Sequence, residues 1–219
     1  MRRVALTGGI GTGKSHVVAL FRQHSVPTIE SDHVSRASVE PGKPAHTSIR
    51  DRFGASVFEA DGTLNRRALA NTIFSNPSAR ADLEAIIHPT VRQAIDDWFK
   101  RCADNTTARF AIADIPLLFE TGLNNAFDHV VVVACPAELQ IDRIIKRDGI
   151  SDIEARKRLA AQLPIQDKTD QADWVVRTDC SYEETARQVK SLYLALSQRQ
   201  IDRHLPQVRS SRFSRRNCV

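Results

Sequence analysis

Gly8-Gly9-Ile10-Gly11-Thr12-Gly13-Lys14-Ser15 follows the apolar run Val4-Ala5-Leu6-Thr7 and leads into His16-Val17-Val18-Ala19-Leu20-Phe21. The octet matches G-x-x-x-x-G-K-[ST] between a strand-like and a helix-like segment, the pattern of a phosphate-binding loop. A loop that wraps a triphosphate must aim successive backbone N–H groups inward, which requires unusual dihedrals and no Cβ in the way. Four of the chain's nine glycines fall between positions 8 and 13. Lys14 is expected to set its charge against the β- and γ-phosphates and Ser15 to ligate Mg²⁺, while the helix start adds partial positive charge. Gly9, Gly11, Thr12, Gly13, Lys14, Ser15 and His16 are thus the expected nucleotide-binding residues. The motif leaves open what is phosphorylated.

Outward from the loop, Val4–Thr7, Pro27–Glu30, Arg109–Ile115, Val130–Ala134 and Trp174–Val176 read as strands rich in Val, Ile and Ala. Segments of helical periodicity separate them, which predicts an α/β fold: a P-loop NTPase-type parallel sheet flanked by helices. Asn76-Pro77 and Cys135-Pro136 place proline at an expected first helical turn, and Ser151-x-x-Glu154 and Ser181-x-x-Glu184 fit the capping box. Two intervals interrupt the alternation. Residues from about 43 to 104 read as a helical insertion, within which His88-Pro89 is expected to end one helix and begin another. Residues 148–171 read as a polar helix between Asp148-Gly149 and Leu163-Pro164, suited to a mobile cover or to an ordinary surface helix. The expected kinase domain is therefore 1–198, with its core in 1–42, 105–147 and 172–198.

The net charge of +5 does not belong to that domain. Residues 199–219 hold six arginines and one acid, the whole excess, and the first 198 residues balance at 25 bases and 25 acids. The tail reads as a disordered, solvated extension. A balanced body with 6 % aromatic residues argues against a nucleic-acid partner. The longest apolar run, Val130 to Cys135, is far short of the roughly 20 residues of a membrane span. The opening Arg2-Arg3-Val4-Ala5-Leu6 is no signal peptide, and four dispersed cysteines form no CxxC pair, so the expectation is a cytoplasmic protein.

Several side chains could carry chemistry. Asp32 follows the second strand, where ligands bind in open α/β sheets, and could accept or orient the proton of an attacking hydroxyl. Spacing leaves open whether Ser31 or Asp32 merely caps the next helix. Asp114 ends the third strand and could hold Mg²⁺ through water, with Glu120 a weaker candidate. Arg143 and Arg147 are four apart on one helix, and Arg158 and Gln162 repeat the relation on the next. Such arginines can stabilise a triphosphate or simply be solvated. No Asn-Lys-x-Asp tetrapeptide is present, which argues against a guanine-specific switch, and Asp51-Arg52-Phe53-Gly54 lies in a helical stretch.

Taken together, the blocks resemble the dephospho-coenzyme A kinase family from Val4 to about Leu196. They are Leu6-Thr7-Gly8-Gly9-Ile10-Gly11 with Gly13-Lys14-Ser15; Asp32; Phe53-Gly54 through Asp61-Gly62 to Arg66 and Leu69; Ile87-His88-Pro89; Pro116-Leu117-Leu118-Phe119-Glu120; Arg147-Asp148-Gly149; Arg158 with Gln162; and Ala172-Asp173. The resemblance implies a kinase of three parts: a core, an acceptor-binding insertion at 43–104 and a lid at 148–171; a monomer is the separate expectation. It implies ATP and Mg²⁺ as co-substrate and metal, and dephospho-coenzyme A as acceptor. Asp32 becomes the expected general base, Lys14 and Arg147 its catalytic companions, and Arg66, His88, Pro116 and Leu117 join Asp32 at the acceptor. Thr178 stands where the family often has Asn, which puts a base contact there in doubt. Another small-metabolite kinase, for a nucleoside monophosphate or a sugar acid, is the nearest rival reading.

Overall fold

The computed structural model describes residues 1–74 and 76–198. The chain divides into two compact units, Met1–Thr28 with the chain from Cys102 onward, and Ile29–Arg101. The arginine-rich segment 199–219 lies outside the described residues.

Five strands form the sheet: β1 (Arg2–Gly8), β2 (Thr28–Glu30), β3 (Phe110–Asp114), β4 (His129–Ala134) and β5 (Trp174–Arg177), in the order β2-β3-β1-β4-β5. β1 runs parallel to both β3 and β4, with Leu6 opposite Asp114 and Gly8 opposite Val133, and β4 runs parallel to β5. Every residue of β3 is buried and so are the last five of β1 and of β4. Helices covering both faces explain why these strands read as apolar runs rather than alternations. The ends differ by one or two residues from the sequence reading, as strand ends commonly do.

Helix α1 (Lys14–Gln23) buries Val17, Val18 and Phe21 and packs on α9 (Tyr182–Ser197), where His24 stacks on Tyr193 with ring centroids 4.7 Å apart. Phe21 meets Phe110 of β3 edge to face, and both belong to a core with Leu6, Val131, Val176 and Leu196. In this order the chain leaves β1 toward β2 and leaves its neighbour β4 toward β5, in opposite directions along the sheet. The loop after β1 therefore stands at the topological switch point, where such folds bind ligands.

On the far side of β4, α6 (Ala137–Asp148) is followed by α7 (Asp152–Ala160) and α8 (Ile165–Asp170). The single helix expected over 148–171 is thus two, interrupted at Leu163-Pro164, because proline cannot continue a helix and extends the residue before it. Gln162 lies beyond α7 and does not share a helical face with Arg158. Ser151 and Glu154 form the full capping box, whereas at Ser181 only the serine hydroxyl accepts the Glu184 N–H.

The unit Ile29–Arg101 carries α2 (Ser31–Ser38), α3 (Pro44–Phe53), a 3-10 turn at Ala55–Val57, α4 (Arg66–Phe74) and most of α5 (Pro77–Asn105). Val39, Ala45, Ile49, Val57, Leu69 and Leu83 form its own core. α5 corrects the expectation at His88-Pro89: Pro89 lies inside one continuous helix. Buried Leu83 before it and buried Val91, Ile95 and Phe99 after it anchor both halves. That burial outweighs the hydrogen bond that Pro89 cannot donate. At the start of α5 the Asn76 side chain accepts the Ala79 N–H at 3.0 Å, as its sequence position suggests.

Candidate active site

The phosphate loop is held from outside by its own carbonyl groups. Gly9 O accepts the Thr12 hydroxyl at 2.8 Å, and Thr12 O accepts the Thr178 hydroxyl at 2.6 Å. Arg143 completes the brace, donating to Gly11 O at 3.3 Å, to the Thr178 hydroxyl at 3.1 Å and to Thr178 O at 2.7 Å. With the carbonyls engaged outward, the loop can turn N–H groups toward an anion. Gly13, at φ +82°, caps α1 in the left-handed region that favours glycine. Arg143 is one of the three arginines that sequence spacing offers for the triphosphate, with Arg147 and Arg158; here its guanidinium shapes the loop. Thr178, a doubtful base contact by sequence, is buried against Thr12.

A cleft of about 760 Å³ opens over this loop, lined by residues 9–16 and by Arg143, Lys146, Arg147, Thr178, Cys180, Tyr182 and Thr185. Four cations and no carboxylate line it. Such a lining, with the start of α1 beneath, suits a polyphosphate. Lys14 is ion-paired with Asp114, which is 6 % exposed at the end of β3. Arg147 is bidentate to Asp148 at 2.6 and 3.0 Å, and Arg158 reaches the same carboxylate at 2.7 Å. The Arg147 hydrogen bonds hold the Asp148 carboxyl below its ordinary range. His16 meets exposed Tyr182 edge to face, centroids 5.0 Å apart, at the rim. Burial pushes the Cys135 thiol up, so it stays protonated behind the loop.

Ser15 is exposed at the cleft, and among the described residues no cluster of three or more His, Cys, Asp or Glu could hold a metal. One hydroxyl beside a phosphate site fits Mg²⁺, which keeps waters and takes phosphate oxygens rather than an all-protein cage.

The structure gathers Gly9, Gly11, Thr12, Gly13, Lys14, Ser15, His16 and Arg147 around this cleft. Pro116 and Leu117 are not among its lining residues; they follow β3, where Pro116 O accepts the Thr7 hydroxyl at 3.2 Å and Leu117 is 40 % exposed. Asp32, Arg66 and His88 belong to the other unit, all exposed: Asp32 in the first turn of α2, Arg66 at the start of α4 and His88 within α5. Glu30, not Ser31 or Asp32, occupies the N-cap of α2.

Sequence reasoning missed the loop brace, because nothing in the spacing of Thr12, Arg143 and Thr178 announces that they meet. It also missed the partner of Glu120, the Lys168 ammonium at 2.7 Å, fully buried in α8. No sequence signal announced that partner, because α8 is polar at nearly every position and a lysine there reads as solvated.

Comparison with known proteins is consistent with this geometry. The sequence profile of the dephospho-CoA kinase family matches residues 2–184. A dephospho-CoA kinase of Anaeromyxobacter dehalogenans is 47 % identical over 176 residues, 80 % of this chain and 83 % of the relative. One from Syntrophotalea carbinolica is 40 % identical over 193 residues, 88 % and 91 % of the two chains. A solved structure from Thermus thermophilus superposes with a TM-score of 0.77 at 32 % identity, covering 89 % of this chain and 96 % of the other. The dephospho-CoA kinase from Campylobacter jejuni shares the fold, with a TM-score of 0.68. On the profile match across most of its length, and on these relatives, the chain belongs to the dephospho-CoA kinase family.

Proposed function

We propose that this chain transfers the γ-phosphoryl group of ATP to the ribose 3′-hydroxyl of dephospho-coenzyme A, with the residues gathered at the loop binding the nucleotide. The observation that carries the reading is the cleft lining: four cations, no carboxylate, and a braced loop at the switch point of the sheet.

Lys14 neutralises charge on the β- and γ-phosphates, and the N–H groups at the start of α1 take up more. Asp114, already paired with Lys14, holds that ammonium toward the end of β3. Arg147 adds a guanidinium at the end of α6, oriented by Asp148, where charge develops during transfer. Ser15 is the residue that would hold Mg²⁺, which would supply positive charge to the triphosphate. Asp32 accepts, or at least orients, the proton of the attacking hydroxyl. Arg66, His88, Pro116 and Leu117 serve the acceptor. Residues 148–171 act as the lid that keeps water from the γ-phosphate, which limits wasteful hydrolysis. Among the described residues no helix is long and apolar enough to cross a membrane, and Cys102, Cys135 and Cys180 are free thiols. We read the enzyme as a monomer working in the cytoplasm, a compartment in which free thiols persist.

The test is ADP release with ATP, Mg²⁺ and either dephospho-coenzyme A or a panel of nucleoside monophosphates and sugar acids. Release that depends on dephospho-coenzyme A, with coenzyme A identified by mass spectrometry, is expected. Folded protein that binds ATP yet releases ADP only with a panel compound would reassign the acceptor.

A further inference from the structure

Ile10, at the crest of the phosphate loop, is held twice by the segment that follows α6. Its N–H donates to the Gln162 side-chain oxygen at 2.8 Å. Its side chain packs against the cluster of Ile141, Ile144 and Ala155, which Leu159 also joins. Gln162 has no helix of its own to fix it, since α7 ends at Ala160 and α8 begins at Ile165. What fixes this linker is Glu120. Its carboxylate accepts the N–H of Leu163 at 3.1 Å and pairs at 2.7 Å with Lys168. Lys168 is fully buried, so its charge needs a partner it cannot find in water. Burial alone would raise the Glu120 pKa, but the facing Lys168 ammonium and backbone N–H groups, Leu163 among them, outweigh it and hold the carboxyl below its ordinary range.

We propose that Gln162 is a positioning residue for the phosphate loop, anchored through Leu163 by the Glu120–Lys168 pair. An unliganded loop peptide can rotate, and rotation at Ile10 would turn loop N–H groups away from the phosphates. The Gln162 oxygen fixes the Ile10 peptide plane, while Arg143 and Thr178 fix the next two carbonyls. The segment 149–171 and the loop are thereby one mechanical unit, so a displacement at α8 reaches the phosphate site through two peptide groups. This rests on the loop being the ATP site.

Three variants test it: Gln162→Leu, which fills the space without an acceptor; Glu120→Gln, which keeps the shape without the charge; and the double variant. Readouts are ATP affinity by calorimetry, KM and kcat, and amide hydrogen exchange in a peptide spanning Ile10. Gln162→Leu should weaken ATP binding about 5- to 10-fold, the scale of one lost hydrogen bond. It should also speed exchange at Ile10 and raise KM for ATP more than it lowers kcat. Glu120→Gln should do the same and also lower thermal stability. In the double variant the losses in ATP affinity should not multiply, because both act on one contact. Should Glu120→Gln fail to fold, Glu120→Leu with Lys168→Met removes the pair without orphaning an ammonium, and serves in the same cycle. ATP affinity and Ile10 exchange unchanged in Gln162→Leu, or losses that multiply, would overturn the proposal. Wild-type protein that fails to bind ATP would instead overturn the nucleotide-site reading.

Discussion

Asp32 and Lys14 illustrate two ways in which a charged residue is committed to a task. Lys14 is half-buried and tied to a carboxylate that is almost wholly buried, so its position is set by protein before any phosphate is present. Asp32 is exposed in the first turn of α2, with Glu30 rather than itself at the cap position. A carboxylate that neither caps nor packs is free to serve a reacting hydroxyl. Asp32→Asn should therefore lower kcat by about 10²- to 10⁴-fold while leaving the ATP dissociation constant within about twofold. Turnover near that of wild type would remove Asp32 from the role of base.

Among the elements, α5 is the one whose behaviour departs from its sequence. A proline in a helix interior costs roughly 3 kcal/mol, through the missing N–H and the ring's clash with the preceding turn. Pro89 is exposed, so its own burial recovers little of that cost. The Thr90 hydroxyl reaches the Ile86 carbonyl at 3.4 Å, a long contact that compensates little. Replacing Pro89 by Ala restores an N–H for the Ala85 carbonyl, and loses some unfolded-state restraint. The expected net gain is about 1–2 kcal/mol, or a thermal midpoint a few degrees higher. An unchanged midpoint would mean that the turn has already relaxed around the proline. His88 precedes it on the same helix, so acceptor KM measured in this variant also reports whether the proline matters for the acceptor.

For the whole molecule, pH and charge give two further outcomes. Glu120, Asp148 and Asp179 are all held below their ordinary range: Glu120 by hydrogen bonds that overcome its burial, Asp148 by Arg147 and Asp179 by Arg177. A depressed carboxylate contributes stability above its unfolded pKa, near 4, and that stability is lost as pH falls through the folded value. His129 is also depressed, by burial first. The unfolded chain therefore takes up that proton first, and stability should begin a shallow decline below about pH 6.5. Urea unfolding across pH should show the shallow limb and then a steep loss below about pH 4, with His129→Gln removing only the former. A limb unmoved by that substitution would place the titration elsewhere. Removing residues 199–219 takes away six arginines and one acid and leaves a balanced chain. Turnover should persist in the truncated protein, and a large loss would give that segment a part in the reaction.

The sequence by itself determined where the glycine-rich loop lies and the class of the fold. Glycine spacing, a following Lys-Ser and an apolar run before them are local facts, and a phosphate loop is a local device built from backbone N–H groups. The five strands were legible for the same reason, since strands buried on both faces need no partner to reveal their composition. Tertiary structure alone decided what holds the loop. Arg143 and Thr178 are far from Thr12 in the chain, and only the order of β1, β4 and β5 brings them behind it. The same holds for Glu120, Leu163 and Lys168, whose meeting depends on where α8 packs. It holds too for Pro89, whose local signal to end a helix was outweighed by apolar residues buried on either side. Local chemistry is written in neighbouring residues, whereas the partners of a buried charge or a loop carbonyl are chosen by packing between segments distant in sequence.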